Sequence, residues 1–110
     1  MRCPCSQPPF HTKDFEVAQL GTDATAGRFA EVTLERCLRC GGLWLHYLIE
    51  LEAFSHSGRW YRCAVSEDQA KTLTPENASS VLSSVAWHFY GGSYYESTGM
   101  RAIGGANLGS

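Results

Sequence analysis

The chain has 110 residues, of which 44% are hydrophobic and 12% aromatic, so it can build one small core but is too short for two. Nine Lys and Arg against eleven Asp and Glu give a net charge of −2, which leaves nucleic-acid binding only to a local patch. No segment approaches the roughly 20 apolar residues that span a bilayer, and no apolar signal-peptide core follows Met1, so we expect a cytoplasmic protein without a membrane partner.

Alternation of apolar and polar residues predicts four strands, over 13–20, 28–36, 43–52 and 59–65. The third segment is apolar enough to fit a helix as well. Turn-forming residues at 55–58 separate the last two strands, which we expect to pair as a β-hairpin. The sequence leaves the register of this hairpin open.

A helix is predicted after the strands. Thr74 followed by Pro75 suits a helix start, and apolar residues recur with a 3.6-residue period over 81–89 before two glycines. We therefore expect an α+β, mainly antiparallel β fold, with a sheet of about four strands and one C-terminal helix. A single domain would cover 1–92, followed by a glycine-rich tail at 93–110 that could dock in part.

The cysteines indicate a metal site. An odd number of them in a reducing compartment argues against a disulfide framework, and Cys63 stands alone in a strand as a predicted core residue. The other four form two close pairs that a hairpin between them could bring together. Thiolates from two short loops satisfy the tetrahedral coordination of structural zinc. The sequence therefore predicts one structural Zn²⁺ ion, held by Cys3, Cys5, Cys37 and Cys40.

The segment Cys37-Leu38-Arg39-Cys40-Gly41 resembles the knuckle of the zinc-ribbon superfamily, in which two cysteine knuckles on β-hairpins clamp one zinc ion. The resemblance covers roughly residues 1–65. The first cysteine pair has a single residue between its members, which leaves His11 as an alternative to Cys3 or Cys5. The superfamily is defined by a structural element, so the resemblance implies a fold feature and no particular activity.

The strongest polar cluster outside the cysteines lies on the 44–65 hairpin. One interpretation is a solvent-exposed face with weak cross-strand ion pairs and no function in binding. The other is a binding surface, because Arg and Trp dominate interface hot spots. We identify no catalytic residue, since no nucleophile elbow, phosphate loop or metal-binding helix accompanies the cluster. The predicted surface comprises His46, Glu50, Glu52, Arg59, Trp60 and Arg62.

These features predict a structural-zinc protein that binds another protein, through the hairpin surface or the aromatic segment 87–95. A thiol redox protein is one alternative, because Cys-x-x-Cys is also a dithiol motif. The other is nucleic-acid binding through phosphate contacts from Arg36, Arg39, Arg59 and Arg62.

Overall fold

The structure, a computed structural model, describes residues 3–50 and 57–108. Within these residues six strands form one antiparallel sheet in chain order, and two short helices connect the fourth strand to the fifth. Neither helix has the length and apolar content that crossing a membrane requires. The strands are β1 (Phe15–Asp23), β2 (Ala30–Cys37), β3 (Leu43–Ile49), β4 (Arg59–Val65), β5 (Trp87–Gly92) and β6 (Ser97–Ile103), and the helices are α1 (Glu67–Thr72) and α2 (Ala78–Ser84).

Both faces of the sheet are covered, because the chain before β1 crosses one face and the helices cover the other. Successive side chains in a strand point to opposite faces, so β3 needs apolar residues at nearly every position. The helix face buries a core that includes Val32, Leu45, Tyr47, Ile49, Tyr61, Cys63, Leu73 and Leu82. The second face, which we call the metal face, carries Cys5, Phe15, Cys37, Trp44 and Phe89, with Phe10 and Trp60 packed against them.

The predicted sheet of about four strands with one C-terminal helix is wrong. The four strands exist as β1 to β4, but α2 ends at Ser84 and the chain continues in extended form. In β5 the side chain of His88 packs near the helix face and that of Phe89 on the metal face. As a strand, residues 87–90 can bury large side chains on both faces of the sheet. As a helix, they could bury only the side chains that lie on one face. The segment predicted as a tail supplies β6, which pairs with β5.

Helix α1 was absent from the prediction although its start is encoded locally. The hydroxyl of Ser66 accepts a hydrogen bond from the Gln69 N–H at 3.1 Å, and the Gln69 side chain accepts one from the Ser66 N–H at 2.8 Å. This reciprocal arrangement is a capping box. Two acidic residues in the first turn, Glu67 and Asp68, add a favourable interaction with the helix dipole.

A buried polar cluster joins the end of β1 to β3. The Tyr47 hydroxyl donates a hydrogen bond to the Asp23 carboxylate and accepts one from the Arg28 Nε at 3.0 Å. The Thr25 backbone N–H donates to Asp23 at 3.0 Å. Burial raises the pKa of Asp23. The hydrogen bonds from Thr25 and Tyr47 and the charge of Arg28 together lower it by a larger amount, so the net shift is downward. The carboxylate is therefore ionised and paired inside the fold.

We expect Asp23→Asn to lower the free energy of unfolding by about 2–3 kcal/mol at pH 7, because it removes the buried negative charge that faces the Arg28 guanidinium and the Tyr47 hydroxyl. Since the folded pKa of Asp23 lies below its unfolded value, this stabilisation is present above the unfolded pKa and is lost as the pH falls through the folded one. Urea denaturation at several pH values measures both effects. The exposed Glu31→Gln is the control, and equal losses in the two variants would contradict the prediction.

Candidate metal centre and adjoining cleft

The four sulfur atoms of Cys3, Cys5, Cys37 and Cys40 all lie within 4.8 Å of one another. The Sγ atoms of Cys3 and Cys37 are 3.5 Å apart, as are those of Cys5 and Cys40. A tetrahedral zinc ion with Zn–S bonds of about 2.3 Å places its sulfurs about 3.8 Å apart. The cluster therefore has the size and donor chemistry of a site that could hold a metal ion and is compatible with zinc.

The turn between β2 and β3 points its backbone N–H groups at the sulfurs. The Arg39 N–H donates to the Cys37 Sγ and the Gly42 N–H to the Cys40 Sγ, both at 3.4 Å. Gly41 adopts a φ of 75°, in the left-handed region that favours glycine, and its N–H closes the turn on the Cys37 carbonyl at 2.9 Å. Such N–H···S bonds orient thiolate ligands and stabilise their charge.

The thiols of the cluster differ in acidity. Burial raises the pKa of the Cys37 thiol, but the backbone N–H groups of Cys40 and Arg39 outweigh it and bring the pKa to about 6. Burial and the neighbouring Cys40 thiol raise the pKa of Cys5 instead. One thiol thus ionises readily near neutral pH, whereas a metal ion would have to displace the proton of the other.

Trp44 provides a further test of whether the cluster suits a metal. Its indole Nε1 is buried and has no hydrogen-bond partner among the described residues, and the indole lowers the pKa of Cys5, although burial raises it more. A thiolate carries more negative charge than a thiol and is the better acceptor for such an unpaired donor. The surroundings of the four cysteines therefore fit a metal-bound thiolate centre.

The remaining cysteine and the alternative ligand lie outside this cluster. His11 is exposed, and the metal-binding group found within residues 3–50 and 57–108 consists of the four cysteines alone. Cys63 is fully buried in the core of the helix face, where burial raises the pKa of its thiol to about 12.

Three residues of the predicted binding surface lie together on the metal face. His46 is opposite Arg62 in the β3–β4 register, and Trp60 lies on the same face. The Trp60 ring stacks on His46 with a centroid distance of 5.9 Å. This register settles which hairpin residues face His46.

Two other residues of that surface lie elsewhere. Arg59 projects to the opposite face, where its guanidinium carbon is 5.3 Å from the Tyr94 ring centroid. Glu50 is exposed just after β3, and Glu52 lies outside the described residues. The proposed phosphate-binding arginines are similarly dispersed, because Arg36 pairs with Glu67 at 3.0 Å and Arg62 is buried on the other side of the sheet.

A cleft of about 140 Å³ lies on the metal face beside the cysteine cluster, since Phe15 lines the cleft and packs with Cys5 and Cys37. Its floor contains the paired side chains of Glu35 and Arg62, whose Oε1 and Nη1 atoms are 2.5 Å apart. Sequence reasoning did not single out Glu35, because a charged residue in an alternating strand normally indicates a solvent-exposed face. Only the pairing of β2, β3 and β4 shows that this carboxylate has a buried cationic partner. The cleft is lined by Phe10, His11, Thr12, Phe15, Glu35, His46, Trp60, Arg62 and Thr98.

Arg62 is the most enclosed polar group of this cleft, with 2% of its surface exposed. Its guanidinium carbon lies 4.6 Å from the Phe10 ring centroid and 4.3 Å from that of Phe15. These contacts, together with the Glu35 carboxylate, favour the charged guanidinium although burial lowers its pKa. Burial also lowers the pKa of His46, so this imidazole is neutral at pH 7.

No protein-family model, curated protein or solved structure matches the chain.

We expect Cys37→Ser to lose most of its bound metal, because it removes one of the four sulfur ligands. The protein would be purified without chelators and its zinc content measured by mass spectrometry. Cys63→Ala is the matched cysteine control and should keep a full complement of metal, as should His11→Ala. Loss of metal from His11→Ala, or its full retention by Cys37→Ser, would contradict the assigned ligands.

Proposed function

We propose that this chain is a structural-zinc protein, with a knuckle of the zinc-ribbon kind, whose role is to bind a protein partner. The observation that carries the proposal is the convergence of four thiols within 4.8 Å from two separate parts of the sequence. Four cysteine ligands complete a tetrahedral coordination and leave no position for a substrate, which is typical of structural zinc.

The ion would fasten the chain before β1 to the sheet. Cys3 and Cys5 belong to that segment, whereas Cys37 is the last residue of β2 and Cys40 lies in the turn after it. Beyond the cysteines, the segment is held by Phe10, whose ring centroid is 5.0 Å from that of Phe89. Zinc binding would thus contribute directly to the free energy of folding of this face.

The likeness to zinc ribbons rests on one of the two cysteine pairs. Cys37 and Cys40 flank a tight turn between paired antiparallel strands, as in a hairpin knuckle. Cys3 and Cys5 instead lie in and beside a short 3₁₀ turn, Pro4–Ser6. The proposed fold relationship therefore covers the β2–β3 half of the site.

The metal face supports a role in partner binding. Trp60 is half buried over His46 and borders a cleft whose rim includes the exposed residues His11, Thr12 and Thr98. A large aromatic residue held in place next to a concave surface is a common anchor of protein interfaces. The zinc centre would stabilise one wall of this surface without contacting the partner.

A thiol redox protein is the second candidate, and the low pKa of Cys37, about 6, favours it. The sulfur pairs are also close enough to react after small movements. However, Cys37 ends a strand and Cys40 lies in a turn, so neither has the helix N-terminus that activates thioredoxin-like thiols. The redox role would require disulfide bonds in place of the metal.

Native mass spectrometry separates these two candidates. We expect one zinc ion per chain and five reduced cysteines. Removal of the ion with a chelator should weaken the near-ultraviolet circular dichroism, because Trp44 and Phe10 lose their fixed packing when the segment before β1 detaches, whereas the tyrosines of the helix face stay packed. A chain isolated with disulfide bonds and no metal would instead support the redox role. Removal of zinc with an unchanged spectrum would contradict a structural role.

The partner-binding part of the proposed function is tested by affinity capture, followed by cross-linking to identify the contact site. We expect Trp60→Ala to weaken capture of a specific partner at least about tenfold, since it removes the aromatic anchor. Ile103→Ser is the control, because Ile103 is an exposed hydrophobic residue on β6. Both variants must retain zinc. An unchanged partner affinity in Trp60→Ala, or cross-links confined to other faces, would refute this surface.

A further inference from the structure

The cleft beside the metal centre combines a small volume with an unsatisfied buried donor group. Its volume of about 140 Å³ is close to that of an apolar cavity of about 150 Å³ that accommodates benzene. The walls come from aromatic side chains, including those of Phe10, Phe15 and Trp60. The cleft therefore has room for one ring-sized group, and any larger part of a ligand would extend past its exposed rim.

The guanidinium of Arg62 is only partly used by the protein. Nη1 donates to Glu35, whereas Nε and Nη2 are buried without hydrogen-bond partners among the described residues. Nε and Nη2 form one edge of the planar guanidinium, and their N–H bonds point in the same direction. Leaving such donors unsatisfied in the interior is costly. Arg62 lines the cleft, but Nε and Nη2 have almost no exposed surface, so a ligand in the cleft could satisfy them only after the overlying side chains move apart.

We propose that the cleft is a binding site for a carboxylate carried on a small aromatic ring. Two parallel N–H···O bonds from the free edge of Arg62 match the two oxygens of a carboxylate, which is the strongest bidentate pairing that arginine makes. The ring would pack against Phe10, Phe15 and Trp60. The inference rests on the proposed function, because the zinc centre holds the segment that carries Phe10.

The charges around the cleft determine how strongly it is expected to bind a carboxylate. Glu35 neutralises Arg62 from the other edge of the guanidinium, and His46 is neutral, so the ligand gains the bidentate bonds without a strong surplus of positive charge. The Cys5 and Cys37 sulfurs also interact electrostatically with Arg62 and reduce its attraction for a second anion. We therefore expect weak binding of a free acid, with a dissociation constant of about 1 mM.

The carboxylate could belong to a free aromatic acid or to the C-terminus of a partner chain that ends in an aromatic residue. Benzoate represents the first source, and N-acetyl-glycyl-phenylalanine with a free carboxylate represents the second. The neutral controls are benzamide and the C-terminal amide of the same dipeptide. Tighter binding of benzoate assigns the site to a free acid, and tighter binding of the dipeptide assigns it to a chain terminus.

The test uses the zinc-loaded, ¹⁵N-labelled chain and nuclear magnetic resonance. We expect either carboxylate to shift the Arg62 Nε–H and Trp60 indole resonances saturably, and each neutral control to bind at least about tenfold more weakly. No shift with either carboxylate, or equal binding of acids and amides, would overturn the inference. Both of those outcomes would leave the metal content and partner capture unchanged, so the proposed function would stand.

A matched pair of variants adds a second test. Arg62→Lys keeps a positive charge beside Glu35 but removes the planar edge, so carboxylate affinity should fall at least about tenfold. Arg59→Lys makes the same change on the opposite face and should leave the affinity within about twofold. If Arg62→Lys folds, retains zinc and binds benzoate as the unmodified chain does, the bidentate site is refuted. If it does not fold, the titration of the unmodified chain still decides.

Discussion

The convergence of four cysteine sulfurs is the constraint on which the metal face depends. The segment 3–14 has no strand of its own and covers the sheet with a few side chains, among them Cys5 and Phe10. A cover of this kind buries too little surface to hold itself in place against the entropy of a free chain. The helix face needs no such cross-link, because Leu73, Ala78 and Leu82 are fixed by helices that pack on a continuous apolar core. The two faces of one sheet are thus stabilised by different chemistry.

This division explains where polar groups can be tolerated. On the helix face the fully buried polar groups of Asp23 and Tyr47 satisfy one another at the end of the sheet. On the metal face the Arg62 side chain lies under a loop, where a cleft remains because segment 3–14 does not fill all the space above the strands. An incompletely covered sheet is therefore the physical origin of the candidate binding site.

The sequence predicted those features that depend on local patterns. Strands β1 to β4 follow from alternation, and the cysteine pairs from ligand spacing. It did not predict β5, because burial on two faces removes the alternation there and leaves 81–89 compatible with a helical period. It did not predict β6, because the half-buried positions of that strand are the small residues Ser97, Gly99 and Ala102, which give no apolar signal. The pairing of Glu35 with Arg62 depends on strands whose register no local signal specifies. Helix α1 differs from these features, because a local signal, the capping box of Ser66 and Gln69, marks its start. Its six residues are too few to show an amphipathic period.

The order of the cysteines along the chain has a consequence for biosynthesis. All four ligands precede Gly41, and the strands that bring them together, β1 and β2, pair with each other as a hairpin. Arg62 and Trp60 lie on β4, further along the chain. During synthesis on a ribosome, all four cysteines therefore emerge before β4, the strand that carries Arg62 and Trp60 of the cleft. Metal capture can precede formation of the binding surface, so the nascent chain has a means of fixing its first hairpin while the rest of the sheet is still being made.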